Sequence, residues 1–315
     1  MSRRRALLGV SGGAVIEDGS QQYPFLIKNA VEFHAFIESV SNTNNYTGIY
    51  HKIVNNIDLT GFTFSTSNAD RNYYGHLDGN YKVVSNFSRV NGYGGLFRNC
   101  RNGSIKRLGL ENVYVSGTEA CGIGGDSSTI EECYVTGNIA CRSGNYMGGI
   151  SYYHNGNITD CYTNVQFSSI NGAGIRSGGI AGQLTNPNKV TNCLAIGDMD
   201  LLTGNASGIV AEQGTNNLVV NCVSAMNILN STSGGTVGRI TGGNTYLVVN
   251  CHALDTMLVR GAVVTTGTST NLNGANATIT QLKTRSFYEN ILGWDFVNIW
   301  KINEGVNFPK LKGFG

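Results

Sequence analysis

The chain has little charge and almost no proline. Of its 315 residues, 13% are charged and 3 are proline, whereas 43 are glycine. This balance is unlike that of a helical enzyme and favours a chain that turns often and stacks on itself. A hydrophobic content of 41% is sufficient for a packed core and argues against disorder.

Long apolar runs are also missing. No run approaches the roughly 18 residues that a membrane-spanning helix needs, so membrane insertion is not expected. The basic cluster Arg3, Arg4 and Arg5 precedes an apolar stretch at residues 6–10, which is shorter than the about 7–15 residues of a secretory signal. We therefore expect folding in a cytoplasm. A formal net charge of +2 offers no broad basic field for nucleic acid.

Metal-binding and redox spacings are absent too. The eight cysteines, none in a C-x-x-C pair, are Cys100, Cys121, Cys133, Cys141, Cys161, Cys193, Cys222 and Cys251. The five histidines are scattered without a ligand spacing. No metal or cofactor is predicted, and the cysteines are expected to be free thiols that pack as small apolar side chains.

Two independent markers repeat at about the same interval. The first is glycine followed by an apolar residue, at Gly95-Leu96, Gly122-Ile123, Gly149-Ile150, Gly179-Ile180 and Gly208-Ile209, with a weaker copy at Gly235-Thr236-Val237. The second is a polar residue followed by cysteine, at Glu132-Cys133, Asp160-Cys161, Asn192-Cys193, Asn221-Cys222 and Asn250-Cys251, with Leu108 in the cysteine position one copy earlier. A shared period of about 29 residues indicates a repeat architecture.

The repeat predicts an all-β, single-chain, right-handed parallel β-helix of about seven coils. Each copy contains short alternating segments typical of strands, and Gly and Asn between them supply tight corners. One coil cannot bury its inner face, so neighbouring coils must stack. The cysteine row is then a core ladder, and Asn192, Asn221 and Asn250 are expected to form an amide ladder at a corner.

Both ends differ from the repeats, as the ends of a solenoid must. Residues 1–20 are predicted to be an arm, 21–60 a cap with a short helix, 61–279 the β-helix and 280–315 a second cap. The first helix would begin after Asn29, with Val31, Phe33, Phe36, Ile37 and Val40 on or beside its apolar face. Helical character over residues 280–291, followed by Trp294 and Trp300, suggests a bulky apolar plug.

Several blocks carry a family resemblance. They are Tyr23-Pro24-Phe25-Leu26-Ile27, Asn56-Ile57-Asp58-Leu59, Leu77-Asp78-Gly79-Asn80-Tyr81-Lys82-Val83, Gly94-Gly95-Leu96-Phe97 through Ser104-Ile105, and Leu292-Gly293-Trp294-Asp295-Phe296 to Phe308-Pro309-Lys310-Leu311. In this order they resemble the GLUG-motif repeat family of bacterial and phage surface proteins. The chain departs from the motif at Arg98, Tyr152 and Ala211, where glycine is usual. The resemblance implies a β-helix used for display or adhesion.

The short basic arm is similar to the start of phage fibre and spike proteins, where such an arm docks into the particle. By this analogy Arg3, Arg4 and Arg5 are candidates for virion anchoring through contacts with other virion proteins. The resemblance also implies a homotrimer located in the virion after synthesis in the host cytoplasm. The expected function is host-surface recognition or attachment without catalysis. Two alternatives stay open: a polysaccharide-degrading tailspike, and an adhesin on a bacterial cell surface.

Candidate site residues follow from the repeat. Glycoside cleavage needs two carboxylates about 5–9.5 Å apart, and Glu132 and Asp160 hold equivalent positions on adjacent coils, so they are the catalytic candidates. Asn fills the same position in later copies, which a structural corner explains equally well. The aromatic cluster Tyr146, Tyr152, Tyr153 and His154 interrupts one coil. It is the candidate ligand-binding site for a cell-surface glycan or protein receptor, unless it packs at a corner or a subunit contact.

Overall fold

The computed structural model describes residues 17–65, 71–126, 128–143, 145–171, 174–185, 187–214, 216–243 and 247–314. Its strands pair in parallel from one coil to the next. One row of paired residues runs Phe25, His51, Leu77, Ile105, Ile130, Ile158, Val190, Val219 and Val248. Eight steps of inter-strand spacing give a column about 38 Å long. The predicted parallel β-helix is confirmed, with about eight turns.

Two faces carry most of the strands. Face A contains Phe25–Ile27, Tyr50–Ile53, the first part of His76–Ser85 and of Ser104–Cys121, Thr129–Glu131, Ile158–Thr159, Lys189–Thr191, Leu218–Val220 and Leu247–Val249. Face B contains Ile57–Asp58, the later part of His76–Ser85 and of Ser104–Cys121, Tyr134–Cys141, Tyr162–Ser169, Leu194–Ser207, Val223–Ser233, His252–Leu254 and Ala275–Ala277. Face A begins at Phe25, so the β-helix starts inside the segment that the sequence assigned to the cap.

The remaining strands complete each coil. Face C contains Ser88–Gly94, Tyr146–Gly148, Ile175–Gly178 and Val237–Gly238, which pair with the ends of the long face B strands or with one another, and face D contains Ser151–His154, Ala181–Leu184 and Val210–Gln213. Three short pairs are Asn72–Tyr73 with Asn99–Cys100, Leu258–Val259 with Ala262–Val263, and Trp300–Lys301 with Lys310–Leu311. The helices are Ala30–Ser39 (α), Gln281–Lys283 (3-10) and Phe287–Ile291 (π).

The cysteine row lies in the core, as predicted. Leu108, Cys133, Cys161, Cys193, Cys222 and Cys251 are each fully buried. All eight cysteines of the chain are buried thiols. Burial disfavours the thiolate form at every cysteine of the row, because a thiolate would be desolvated there. These side chains therefore act as small apolar packing groups.

The glycine–isoleucine steps form a second inner ladder. Ile123 donates its amide to Ile150, and the pattern continues through Ile180 and Ile209 to Ile240. A Cβ on Gly122 would lie 2.5 Å from a methyl group of Val135, so only glycine permits this close approach.

The last copy of this ladder does not lie at Gly235-Thr236-Val237, where the sequence pattern predicts it. The equivalent step is Arg239-Ile240, whereas Val237 pairs with Ala206 earlier in the coil. Arginine replaces glycine here because no further repeat coil stacks above it, and its side chain instead closes the end of the column.

The N-terminal helix lies in the segment of chain that connects the first two face A strands, which pair directly with each other. Asn29 is its N-cap and accepts a hydrogen bond from the amide of Glu32, as predicted. Phe33, Phe36, Ile37 and Val40 are buried. Val31, predicted on the same side, is 68% exposed, because it lies on the turn that faces away from the column.

Buried arginines fasten both ends. Arg71 donates to the carbonyl of Ile37 at 2.9 Å and to Oε1 of Glu38 at 2.6 Å, which ties the helix to the column. At the other end Arg239 donates to the carbonyls of Asn273 and Gly274 at 3.0 and 3.1 Å. Buried backbone carbonyls need such partners, and these two arginines supply them to the N-terminal helix and to the segment that covers the last coils.

Residues 280–314 form what we call the C-terminal strap. Its path is marked by contacts of Ile291 with Asn250, Trp300 with Asp160, and Phe314 with Tyr81. The strap thus runs back along the side of the column, from the ninth face A strand to the third. The predicted aromatic plug is therefore a lateral strap, since the column end is already covered by residues 262–279 around Arg239. None of the helices in the described ranges is long and apolar enough to span a membrane.

Candidate functional site

The polar residues that precede the cysteines form one corner row. Its members are Arg107, Glu132, Asp160, Asn192, Asn221 and Asn250, all with φ between 50° and 54°. This left-handed conformation is the reason Asn recurs, since Asn tolerates it better than most residues. Because these residues share the same backbone conformation, their side chains leave the corner in the same direction.

The predicted amide ladder is present in this row. The side-chain amide of Asn250 donates to Oδ1 of Asn221 at 2.9 Å, and that of Asn221 donates to Asn192 at 3.4 Å. The amide of Asn192 then donates to Oδ1 of Asp160 at 3.1 Å. The Asp160 carboxylate therefore terminates a chain of aligned amides.

The strap covers Asp160. The indole Nε1 of Trp300 donates to Oδ1 of Asp160 at 3.1 Å, and Asp160 is 5% exposed. Burial raises its pKa to about 6, because the ionised form loses solvation that two hydrogen bonds only partly replace. Such a pKa suits a general acid, but the carboxylate lies beneath the strap rather than in an open groove.

Glu132, the other catalytic candidate, is engaged in the same corner. Its Oε2 accepts a hydrogen bond from the hydroxyl of Tyr81 at 2.5 Å. The ring of Phe314, at the end of the strap, packs edge-on against both Tyr81 and Tyr134. Glu132 and Asp160 are thus brought to adjacent coils as expected, and the strap lies over this corner.

The four ligand-binding candidates separate into two pairs. Tyr146 and Tyr153 are half-buried on the outside, with ring centroids 5.8 Å apart. Arg176 lies over the Tyr146 ring at 5.4 Å and pairs with Glu212. This pair remains a candidate contact surface of mixed aromatic and charged character.

The other pair is buried. Tyr152 is 5% exposed and fills space above Gly125, where a Cβ would lie 2.6 Å from its ring, and its hydroxyl donates to Asn99. His154 is fully buried, which lowers its pKa to about 4 and keeps the ring neutral. Both side chains are therefore part of the packed interior, and for Tyr152 it is Gly125 in the neighbouring coil that leaves room for the ring.

An open cleft lies near the start of face A. It has a volume of about 580 Å³ and is lined by Tyr50, Lys52, His76, Asp78, Lys106 and Arg107, among others. Its floor consists of outward side chains from three successive coils, because strand residues alternate between the core and the surface. Tyr50 pairs with His76 and His76 with Ser104, and the same register aligns Lys52, Asp78 and Lys106.

The cleft combines cations with a fixed acceptor. The Tyr50 and His76 rings are stacked, with centroids 4.2 Å apart. Arg107 donates from Nε and Nη2 to the two oxygens of Asp78 at 3.0 and 2.7 Å. Burial and the charge of Lys106 lower the pKa of His76, so its ring is neutral at pH 7. The sequence signal for this site was the outward position shared by Tyr50, His76 and Ser104, which the repeat analysis did not follow so far toward the N-terminus.

Two sequence expectations have no structural outcome. The anchoring candidates Arg3, Arg4 and Arg5 lie outside the described residues. In the ranges that the structure describes, no group of three or more His, Cys, Asp or Glu side chains is arranged to hold a metal ion.

Comparison with known proteins identifies the fold. No protein-family model matches the chain, and no curated protein matches it. Among solved structures, a protein from Bacteroides ovatus that is provisionally described as an immunoglobulin A1 protease superposes with a TM-score of 0.77. The two sequences are 22% identical, and the match covers 94% of each chain. This likeness shows that the two proteins share the β-helix fold.

Proposed function

We propose that the protein is a non-enzymatic phage fibre or spike subunit whose β-helix attaches the particle to a host surface. A function without catalysis is supported by the burial of the catalytic candidate. The strap covers the corner row, and Asp160 is only 5% exposed beneath Trp300. A polymer substrate has no access to that carboxylate while the strap is in place. The sealed, stacked column is suited to presenting a surface at a fixed position.

The phage setting rests on the basic arm and on the family resemblance, and the trimer rests on the same analogy. Exposed apolar side chains on the last face A strand, Leu247 at 57% and Val249 at 42%, support association between subunits. Native mass spectrometry of the purified protein tests this, since a monomer at micromolar concentration contradicts the trimer.

Purified virions provide the test of location. Mass spectrometry and immunogold labelling should find the chain in the particle, and antibodies against it should reduce adsorption to host cells. Detection on a bacterial envelope without virions would instead favour an adhesin.

A polysaccharide-cleaving spike is the second candidate, favoured by the raised pKa of Asp160. Incubating the protein with host capsular polysaccharide and measuring new reducing ends or unsaturated products separates the two functions. If the protein is non-enzymatic, as proposed, the length of the polysaccharide should stay unchanged. Cleavage that disappears in Asp160→Asn would establish the enzyme.

A further inference from the structure

We propose that the face A cleft is a binding site for an anionic saccharide, with Lys52 binding a sugar carboxylate and Asp78 accepting sugar hydroxyls. This inference rests on the proposed function, because it identifies the chemical class of the surface ligand. The cleft has a volume of about 580 Å³, which lies within the range of small-molecule sites, about 300–1,000 Å³.

The charges in the cleft favour an anion. Three cationic side chains, Lys52, Lys106 and Arg107, line it together with one carboxylate, that of Asp78. Lys106 contacts Glu131 at 2.6 Å and Arg107 contacts Asp78 at 2.7 Å. Within the described part of the chain, no carboxylate lies within ion-pairing distance of Lys52. Lys52 is therefore the cation whose charge is left for a ligand.

Asp78 determines which kind of anion fits. Its carboxylate is held by Arg107 and by the amide of Asn80 at 2.8 Å, so its position is fixed before any ligand binds. A fixed acceptor beside cations matches a molecule that carries both hydroxyl donors and an acid. It also repels a dianion such as a phosphate monoester more strongly than a single carboxylate. A uronic-acid sugar fits both requirements.

The stacked rings supply the remaining contacts. Tyr50 and His76 line the cleft with their rings stacked on each other, and His76 Nδ1 lies 3.0 Å from the hydroxyl of Ser104. These groups offer hydrogen-bonding atoms and aromatic carbon at adjacent positions, an arrangement that suits a sugar ring with polar rims and an apolar face.

The probe is a galacturonic acid tetramer, with a galactose tetramer of the same linkage as its neutral counterpart. Isothermal titration with the full chain should show binding of the uronate, weakening in high salt, and little binding of the neutral sugar. Lys52→Glu should reduce the affinity at least about tenfold. The matched control is Lys189→Glu, which removes an exposed outward cation from face A five strands beyond Lys52, and it should leave the affinity unchanged.

Tyr50→Ala is the second variant, and circular dichroism confirms that each variant is folded. Equal uronate binding by wild type and folded Lys52→Glu overturns the inference. The inference is also overturned if a glycerol phosphate oligomer binds more strongly than the uronate. It is overturned as well if Lys189→Glu, and not Lys52→Glu, abolishes uronate binding. Virion attachment without any uronate binding refutes this inference and leaves the proposed function standing. Uronate binding accompanied by shortening of the tetramer supports the site and refutes the non-enzymatic function.

Discussion

The indole Nε1 of Trp300 donates to Oδ1 of Asp160 at 3.1 Å, although the two residues are 140 positions apart in the chain. Trp300 is fully buried and stacks on Trp294 with ring centroids 4.4 Å apart. Trp294 in turn donates its indole N–H to the carbonyl of Asn221 at 2.9 Å. This pair of indoles is the principal attachment between strap and column.

Replacing Trp300 by alanine should release the strap while the column stays folded. The loss of a buried tryptophan destabilises its site by about 3–5 kcal/mol. Limited trypsin digestion should remove the segment beyond residue 283 from Trp300→Ala faster than from wild type. The control is Val297→Ala in the same segment, where the side chain is 71% exposed and its removal should change nothing. Unchanged digestion of Trp300→Ala would show that the strap is held by other contacts.

Asp160 should make stability depend on pH. Its pKa is about 6 in the folded chain and 3.8 ordinarily, so the folded state binds more protons between these values. Stability should therefore fall as pH rises from about 4 through 6. Asp160→Asn retains the acceptor for Trp300 and extends the amide ladder, and it should gain about 1–3 kcal/mol above pH 6. Urea denaturation at several pH values measures this, and a less stable variant at pH 7.5 would contradict it.

The left-handed corner should discriminate between small side chains. Asn192 has φ 52°, and its amide donates to Asp160. Asn192→Gly keeps the conformation and loses the hydrogen bond, whereas Asn192→Ala loses both. We expect the alanine variant to be less stable than the glycine variant by about 1 kcal/mol, measured as the free energy of unfolding in urea. Equal stabilities would mean that the corner conformation makes no difference.

The buried thiols should be unreactive in the native protein. All eight cysteines are buried thiols, and the reagent dithionitrobenzoate needs an exposed thiolate. The native chain should react slowly at all eight positions, and in guanidinium chloride all eight should react at once. Rapid reaction of several thiols before unfolding would contradict the core ladder.

The repeats were predictable because each coil places the same residue type at the same inward position. The cysteine and isoleucine positions represented by Cys161 and Ile180 recur about every 29 residues, which is the length of one coil. The amide ladder followed for the same reason. Periodicity is therefore a direct sign of contacts between neighbouring coils.

The strap was not predictable, because the contact of Trp300 with Asp160 repeats nowhere in the chain. The two tryptophans of this segment indicated that it would be buried, but not which surface of the column it would pack against. For Tyr152 the sequence left ligand binding and packing at a corner both open, and the structure shows packing, because the adjacent coil has glycine beneath the ring, at Gly125. Comparing aligned positions across coils, rather than along the chain, would have revealed this.

The return path of the strap alters how the column should unfold. In a simple stack each coil contacts only its neighbours, so the ends can open independently of the middle. Here one segment links the ninth face A strand with the third, since it contacts both Asn250 and Tyr81. Opening any coil between those two strands therefore disrupts contacts between the strap and the column. A linear array is thereby converted into a single cooperative unit, and a strap that follows all the coils in the chain completes the packing of the early ones.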